Sequence, residues 1–231
     1  MDIIKLSKAG IIGFLFLVII FFVIVSCSKE EKPAEDPLSR VLIIGNSITY
    51  HPPAPEIGWE NGWGMAASAA DKDYFSVLSN FLLTLNPEME IVRENVYPFE
   101  RFFETLDFTD YEYLKAVKPE LLIIRLGENV DIAEVEGYNF GRSIVDFANY
   151  LSDNGKTKVL ITTTFWENPV INSQIEWVAD NQGWTLVDIT HLSANDENMA
   201  LGEYEVEGVA RHPSDKGMEA IAKMIWDYII K

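Results

Sequence analysis

Five short apolar runs, at 41–44, 89–93, 121–126, 158–162 and 185–189, recur along this chain. The first, Val41-Leu42-Ile43-Ile44, is apolar at every position and reads as a strand buried on both faces. Between the runs lie segments with helical spacing at 65–85, around 111–117, at 135–151 and at 170–181, and another at 218–230 closes the chain. Strands that alternate with helices predict a parallel sheet covered on both faces, an α/β fold of the doubly wound, three-layer α/β/α kind. Pro119 and Gly183 precede the third and fifth runs and are suitable stops for the helices before them. No internal repeat or composition shift follows residue 40, so 40–231 reads as a single domain.

The amino-terminal end has a different design. Lys5 and Lys8 precede an apolar run from 11 to 25, broken only by Gly13, that stops at Ser26-Cys27. A charged start, a hydrophobic stretch and a small residue describe a signal segment over 1–26, and the run is short beside the ~20 apolar residues of a spanning helix. Ile24-Val25-Ser26-Cys27 resembles the bacterial lipobox, which implies lipidation at Cys27 and a lipid anchor in a membrane. Residues 27–39 are polar and contain proline, as a tether does. Lys29-Glu30-Glu31 resembles the acidic signal that sends some Gram-negative lipoproteins outward. The expected location is therefore the cell envelope, as a lipid-anchored outer-membrane lipoprotein exposed at the surface.

Cys27 is the only cysteine, so the domain has no disulfide and rests on its hydrophobic core. A formal charge of −18 argues against nucleic acid as a partner, because nothing would neutralise its phosphates. Three scattered histidines with no ligand spacing point to no metal, and the missing Gly-x-x-x-x-Gly-Lys and Gly-x-Gly-x-x-Gly loops point to no nucleotide cofactor.

The first strand runs into Gly45-Asn46-Ser47, a turn ending in a hydroxyl where open α/β sheets bind their ligands. Gly127-Glu128-Asn129 follows the third run, and Arg211-His212-Pro213-Ser214-Asp215 leads into the last helix. In this order and spacing the chain resembles the SGNH (GDSL-like) hydrolases. Gly45-Asn46-Ser47 matches their first block, Gly127-Glu128-Asn129 their Gly-x-Asn block and His212-Pro213 their last block. The resemblance implies a flavodoxin-like five-stranded sheet in the order 2-1-3-4-5. It also implies catalysis by Ser47 and His212, with an oxyanion hole formed by the Ser47 N–H, the Asn129 amide and the N–H at the family's glycine position, here Tyr97.

Acyl transfer needs these residue types. A serine hydroxyl is a poor nucleophile until a base takes its proton, and neutral imidazole titrates near the working pH. The chain departs from the family pattern twice. Tyr97 stands where the family has glycine, and Val209 stands three residues before His212, where the family has its aspartate. The alternatives to that acid are Glu207, Glu205 or Asp215 from a shifted position, a backbone carbonyl, or a Ser47–His212 dyad with no acid. His51, four residues past Ser47, is a candidate substrate contact, and Trp59, Trp63 and Met65 are candidates for a substrate wall or for packing. His191 reads as a loop or packing residue.

These residues lead to a serine esterase that removes small acyl groups, acetyl above all, from an extracytoplasmic glycan. The alternative is a non-catalytic glycan- or ligand-binding surface lipoprotein on the same fold.

Overall fold

The computed structural model describes residues 38–152 and 155–231. The expected signal segment, Cys27 and most of the tether lie outside these residues. The described residues belong to one compact unit. Among the described residues, no helix is long and apolar enough to cross a membrane.

The strands are β1 (Arg40–Gly45), β2 (Glu90–Asn95), β3 (Leu121–Arg125), β4 (Lys158–Thr162) and β5 (Thr185–Val187). They form one parallel sheet in the order β2-β1-β3-β4-β5, as the family resemblance implied. The helices are α1 (Tyr74–Leu85), α2 (Tyr97–Phe102), α3 (Glu112–Lys115), α4 (Asn139–Leu151), α5 (Pro169–Gln182), α6 (Glu207–Ala210) and α7 (Asp215–Ile229).

The two-residue period of a strand divides its side chains between the two faces of the sheet. Leu42, Ile44, Leu122 and Ile124 pack with Phe99, Phe140, Phe147 and the buried face of α5. Val41, Ile43, Leu121 and Ile123 pack with α1 and α7 on the other side. Each such side chain contributes about 1.5–3 kcal/mol relative to exposure, which makes these two layers the main source of stability. A third, smaller cluster joins Trp59, Met65, Ala66, Ala200 and Val209. It fastens the long loop after β1 to the segment that carries His212.

Local chemistry moves some boundaries. The helix expected over 65–85 begins only at Tyr74, because the Asp73 carboxylate caps it by accepting from Ser76 N and also ties back to Gly64 N and Arg93. Ala66, at φ 73°, sits in the left-handed region and breaks any helix there. The fifth run yields a strand of only three residues, since the Asp188 side chain turns the chain by accepting from Thr190 N. Gly183 ends α5 at φ 67°, and its N–H returns to Ala179 O.

Candidate active site

The turn after β1 is built on a glycine that admits no side chain. A Cβ on Gly45 would lie 1.9 Å from Thr49 Oγ1 and 3.0 Å from the Arg125 carbonyl oxygen. Asn46 O then accepts from both Thr49 N and Tyr50 N, so the chain bends sharply and Ser47 is left half-buried at its crest. Among the described residues no protein group accepts from Ser47 N–H, so this donor is free to serve a ligand.

His212 lies in the link between α6 and α7. Its backbone N–H donates to Val209 O, and its carbonyl accepts from Ala200 N. The ring Nε2 is 2.9 Å from Ser47 Oγ, and Nδ1 is 2.7 Å from Gly208 O. A carbonyl only accepts, so Nδ1 carries the proton, and Nε2 is left with a lone pair for the Ser47 hydroxyl. Trp166 sets an edge-to-face contact on the ring, with centroids 5.2 Å apart. Burial is the main cause that lowers the His212 pKa to about 4; the charges of Arg125 and His51 add to this, and the bonds to Gly208 and Val209 O oppose it.

No carboxylate among the described residues reaches the His212 ring. Glu207 faces solvent and pairs with Arg211, Asp215 accepts from Ser68 N and Oγ, and Glu205 is exposed. The three candidate acid partners, Glu207, Glu205 and Asp215, therefore do not fill that role, and of the alternatives the backbone carbonyl contacts the ring. The reason is local: Val209 is 1 % exposed and packs in the third cluster, and the short α6 turns Gly208 O toward the imidazole.

Asn129 lines the same cleft as Ser47. Its Nδ2 donates to Glu100 Oε2 at 2.7 Å, and its carbonyl accepts from Arg101. Tyr97 does not contribute as expected. It opens α2, and its N–H donates to Asn95 Oδ1 at 2.8 Å, so that donor is already occupied. The positive φ that would disfavour a tyrosine is absent.

His51 lines the cleft, but through an extended segment bridged to Trp63 and not through a helical turn. Trp59 and Trp63 pack edge to face with each other in or against the third cluster, and Met65 reaches the cleft. His191 is exposed beyond β5. The cleft, about 750 Å³, runs along the carboxyl ends of the strands, with Tyr50, Tyr97, Trp166 and Val206 on its walls. Among the residues lining it there is no Lys or Arg. No group of three or more potential metal ligands occurs among the described residues.

Beneath the site lies a buried polar network. Arg125, fully buried, pairs with Glu128 at 2.6 Å and donates to Asn46 Oδ1 at 2.8 Å. Asn46 Nδ2 donates to Glu128 at 2.7 Å and to Glu100 at 3.1 Å. Glu100 is also fully buried, and its pKa is raised first by burial and then by the nearby Glu128 charge, against the N–H groups of Asn129, Gly127 and Asn46. Only one member of this network left a clear sequence signal: an arginine inside an apolar strand must find a buried partner.

No protein-family model and no curated protein matches the chain. Its fold is similar to that of a two-domain esterase active on acetylated mannans and co-crystallised with mannopentaose, at 17% identity and a TM-score of 0.52; the match covers 83% of this chain and 49% of that one, about half its length. An acetylxylan esterase from Geobacillus stearothermophilus matches at 18% identity and a TM-score of 0.54, over 84% of this chain and 96% of that one. A GDSL-like lipase from Bacteroides uniformis matches at 13% identity and a TM-score of 0.56, over 83% and 95%. The chain has the fold of the SGNH (GDSL-like) hydrolases.

Proposed function

We propose that the protein is a serine esterase that removes acetyl groups from a neutral glycan outside the cytoplasm. The observation that carries this reading is the contact of Ser47 Oγ with His212 Nε2, on a ring whose tautomer is set by Gly208 O. Ser47 Oγ attacks the ester carbonyl carbon while its proton passes to Nε2. The oxyanion of the tetrahedral intermediate is held by Ser47 N–H and the second Asn129 amide hydrogen. Collapse breaks the bond to the sugar oxygen, which takes the proton from Nε2 and departs as a hydroxyl, and leaves an acyl-Ser47 ester. Water then gives a proton to His212 and attacks the acyl carbon, and collapse of this second tetrahedral intermediate releases acetate as Nε2 returns the proton to Ser47 Oγ.

Support for the glycan comes from the acetyl xylan and acetylated mannan activities named for structural neighbours, and from a cleft with aromatic walls and no cationic side chain. The signal-like segment and Cys27 support a lipid-anchored extracytoplasmic location. The alternative, a binding lipoprotein, draws on the missing acid partner of His212 and the occupied Tyr97 N–H.

Hydrolysis of para-nitrophenyl acetate by the parent, Ser47→Ala and His212→Ala proteins decides between them. The esterase reading expects each variant to lose at least about 10³-fold in kcat while keeping its fold. A parent that neither turns over this ester nor reacts with a serine-directed phosphonate is a binding protein.

A further inference from the structure

Glu100 has no place in the sequence pattern that carries the proposed chemistry, yet its carboxylate is fully buried directly behind the site. Oε1 accepts from Gly127 N at 2.5 Å, from Asn46 Nδ2 at 3.1 Å and from Asn129 N at 3.5 Å. Oε2 accepts from Asn129 Nδ2 at 2.7 Å. The turn that carries Ser47 and the turn that carries Asn129 are therefore tied to one side chain, supplied by α2 from the far side of β1.

An asparagine amide is planar and has two hydrogens on one nitrogen. When Glu100 Oε2 takes one, the direction of the other is set about 120° away in the same plane. Turning the amide over would bring Asn129 Oδ1 against the carboxylate, an arrangement that repulsion disfavours. Glu100 thus selects the amide orientation in which a nitrogen, not an oxygen, occupies this position.

We infer that Glu100 is a positioning residue for the oxyanion hole, holding the Asn129 amide so that its free N–H faces the cleft. This inference rests on the esterase reading above. Glu100 does not touch substrate; it acts through Asn129.

The discriminating variant is Glu100→Gln, which keeps the shape but leaves one acceptor oxygen for four converging N–H groups. With that oxygen kept by the three donors on the Oε1 side, the new NH₂ group faces Asn129 and favours the reversed amide. Because this variant leaves buried donors unpaired, Glu100→Asp, which keeps the charge but withdraws it by one methylene, is measured beside it. The readouts are kcat and KM for para-nitrophenyl acetate in the parent, E100Q, E100D, N129A and the E100Q/N129A double variant, with the melting temperature of each. Losing an oxyanion donor costs about 10²–10³-fold in kcat, so misdirecting it is expected to cost about 10- to 100-fold, with KM within about twofold. With Asn129 removed, E100Q is expected to change kcat by less than about threefold, since there is no amide left to direct. The inference is overturned by a folded E100Q or E100D enzyme with parental kcat, or by an E100Q loss of the same factor with and without Asn129. A parent without turnover or phosphonate reaction instead removes the esterase reading, a result distinct from either.

Discussion

His212 Nδ1 donates to the carbonyl oxygen of Gly208 at 2.7 Å, where a serine hydrolase with a full triad has a carboxylate. A carbonyl fixes the tautomer as well as an acid does. It carries only a partial charge, however, so it stabilises an imidazolium less, and as the base of the proposed mechanism His212 is correspondingly weak.

That weakness has a signature in pH. Burial holds the His212 pKa down to about 4, so the ring remains in its neutral, proton-accepting form as the pH falls through the range where free histidine becomes charged. The acid limb of kcat/KM is expected near pH 4, with activity at pH 5.5 close to that at pH 7. A limb at pH 6.5 or above in a steady-state profile would contradict this environment for the ring.

Glu207 and Asp215 have surface roles, so their removal should not affect the chemistry. Glu207→Gln and Asp215→Asn are expected to keep kcat within about twofold of the parent, because an exposed ion pair or hydrogen bond that does not touch the base is worth little. A loss of a hundredfold or more in either variant would show that the carboxylate swings onto His212 during turnover.

Gly127 joins strand chemistry to helix packing. It has φ 129°, and a Cβ there would lie 2.6 Å from Ile171 Cγ2 and 2.8 Å from Thr164 Cγ2. Gly127→Ala is expected to destabilise the protein by about 2–4 kcal/mol through backbone strain and overpacking. Urea unfolding measures this as a lower midpoint with an unchanged slope.

The sheet was legible because burial on both faces demands apolar runs, and runs such as 41–44 and 158–162 have few other uses. Ser47, Asn129 and His212 were legible because each follows or precedes an element in a position that binds ligands. Gly208 was not, since a backbone carbonyl leaves no trace in residue type. Glu100 was hidden by its setting: in Tyr-Pro-Phe-Glu-Arg-Phe a charged residue looks like the wet face of a short helix, and six residues are too few to show a period. The sequence left Trp59 open between a substrate wall and packing, because its burial depends on Ala200 and Val209, far along the chain.

The third cluster also limits which side chains position 209 can carry. An aspartate three residues before His212 would place a carboxylate at position 209, among Trp59, Met65, Ala66 and Ala200. In this apolar cluster the carboxylate would have the His212 imidazole as its candidate partner, and Val209→Asp is expected to lower the stability of the fold.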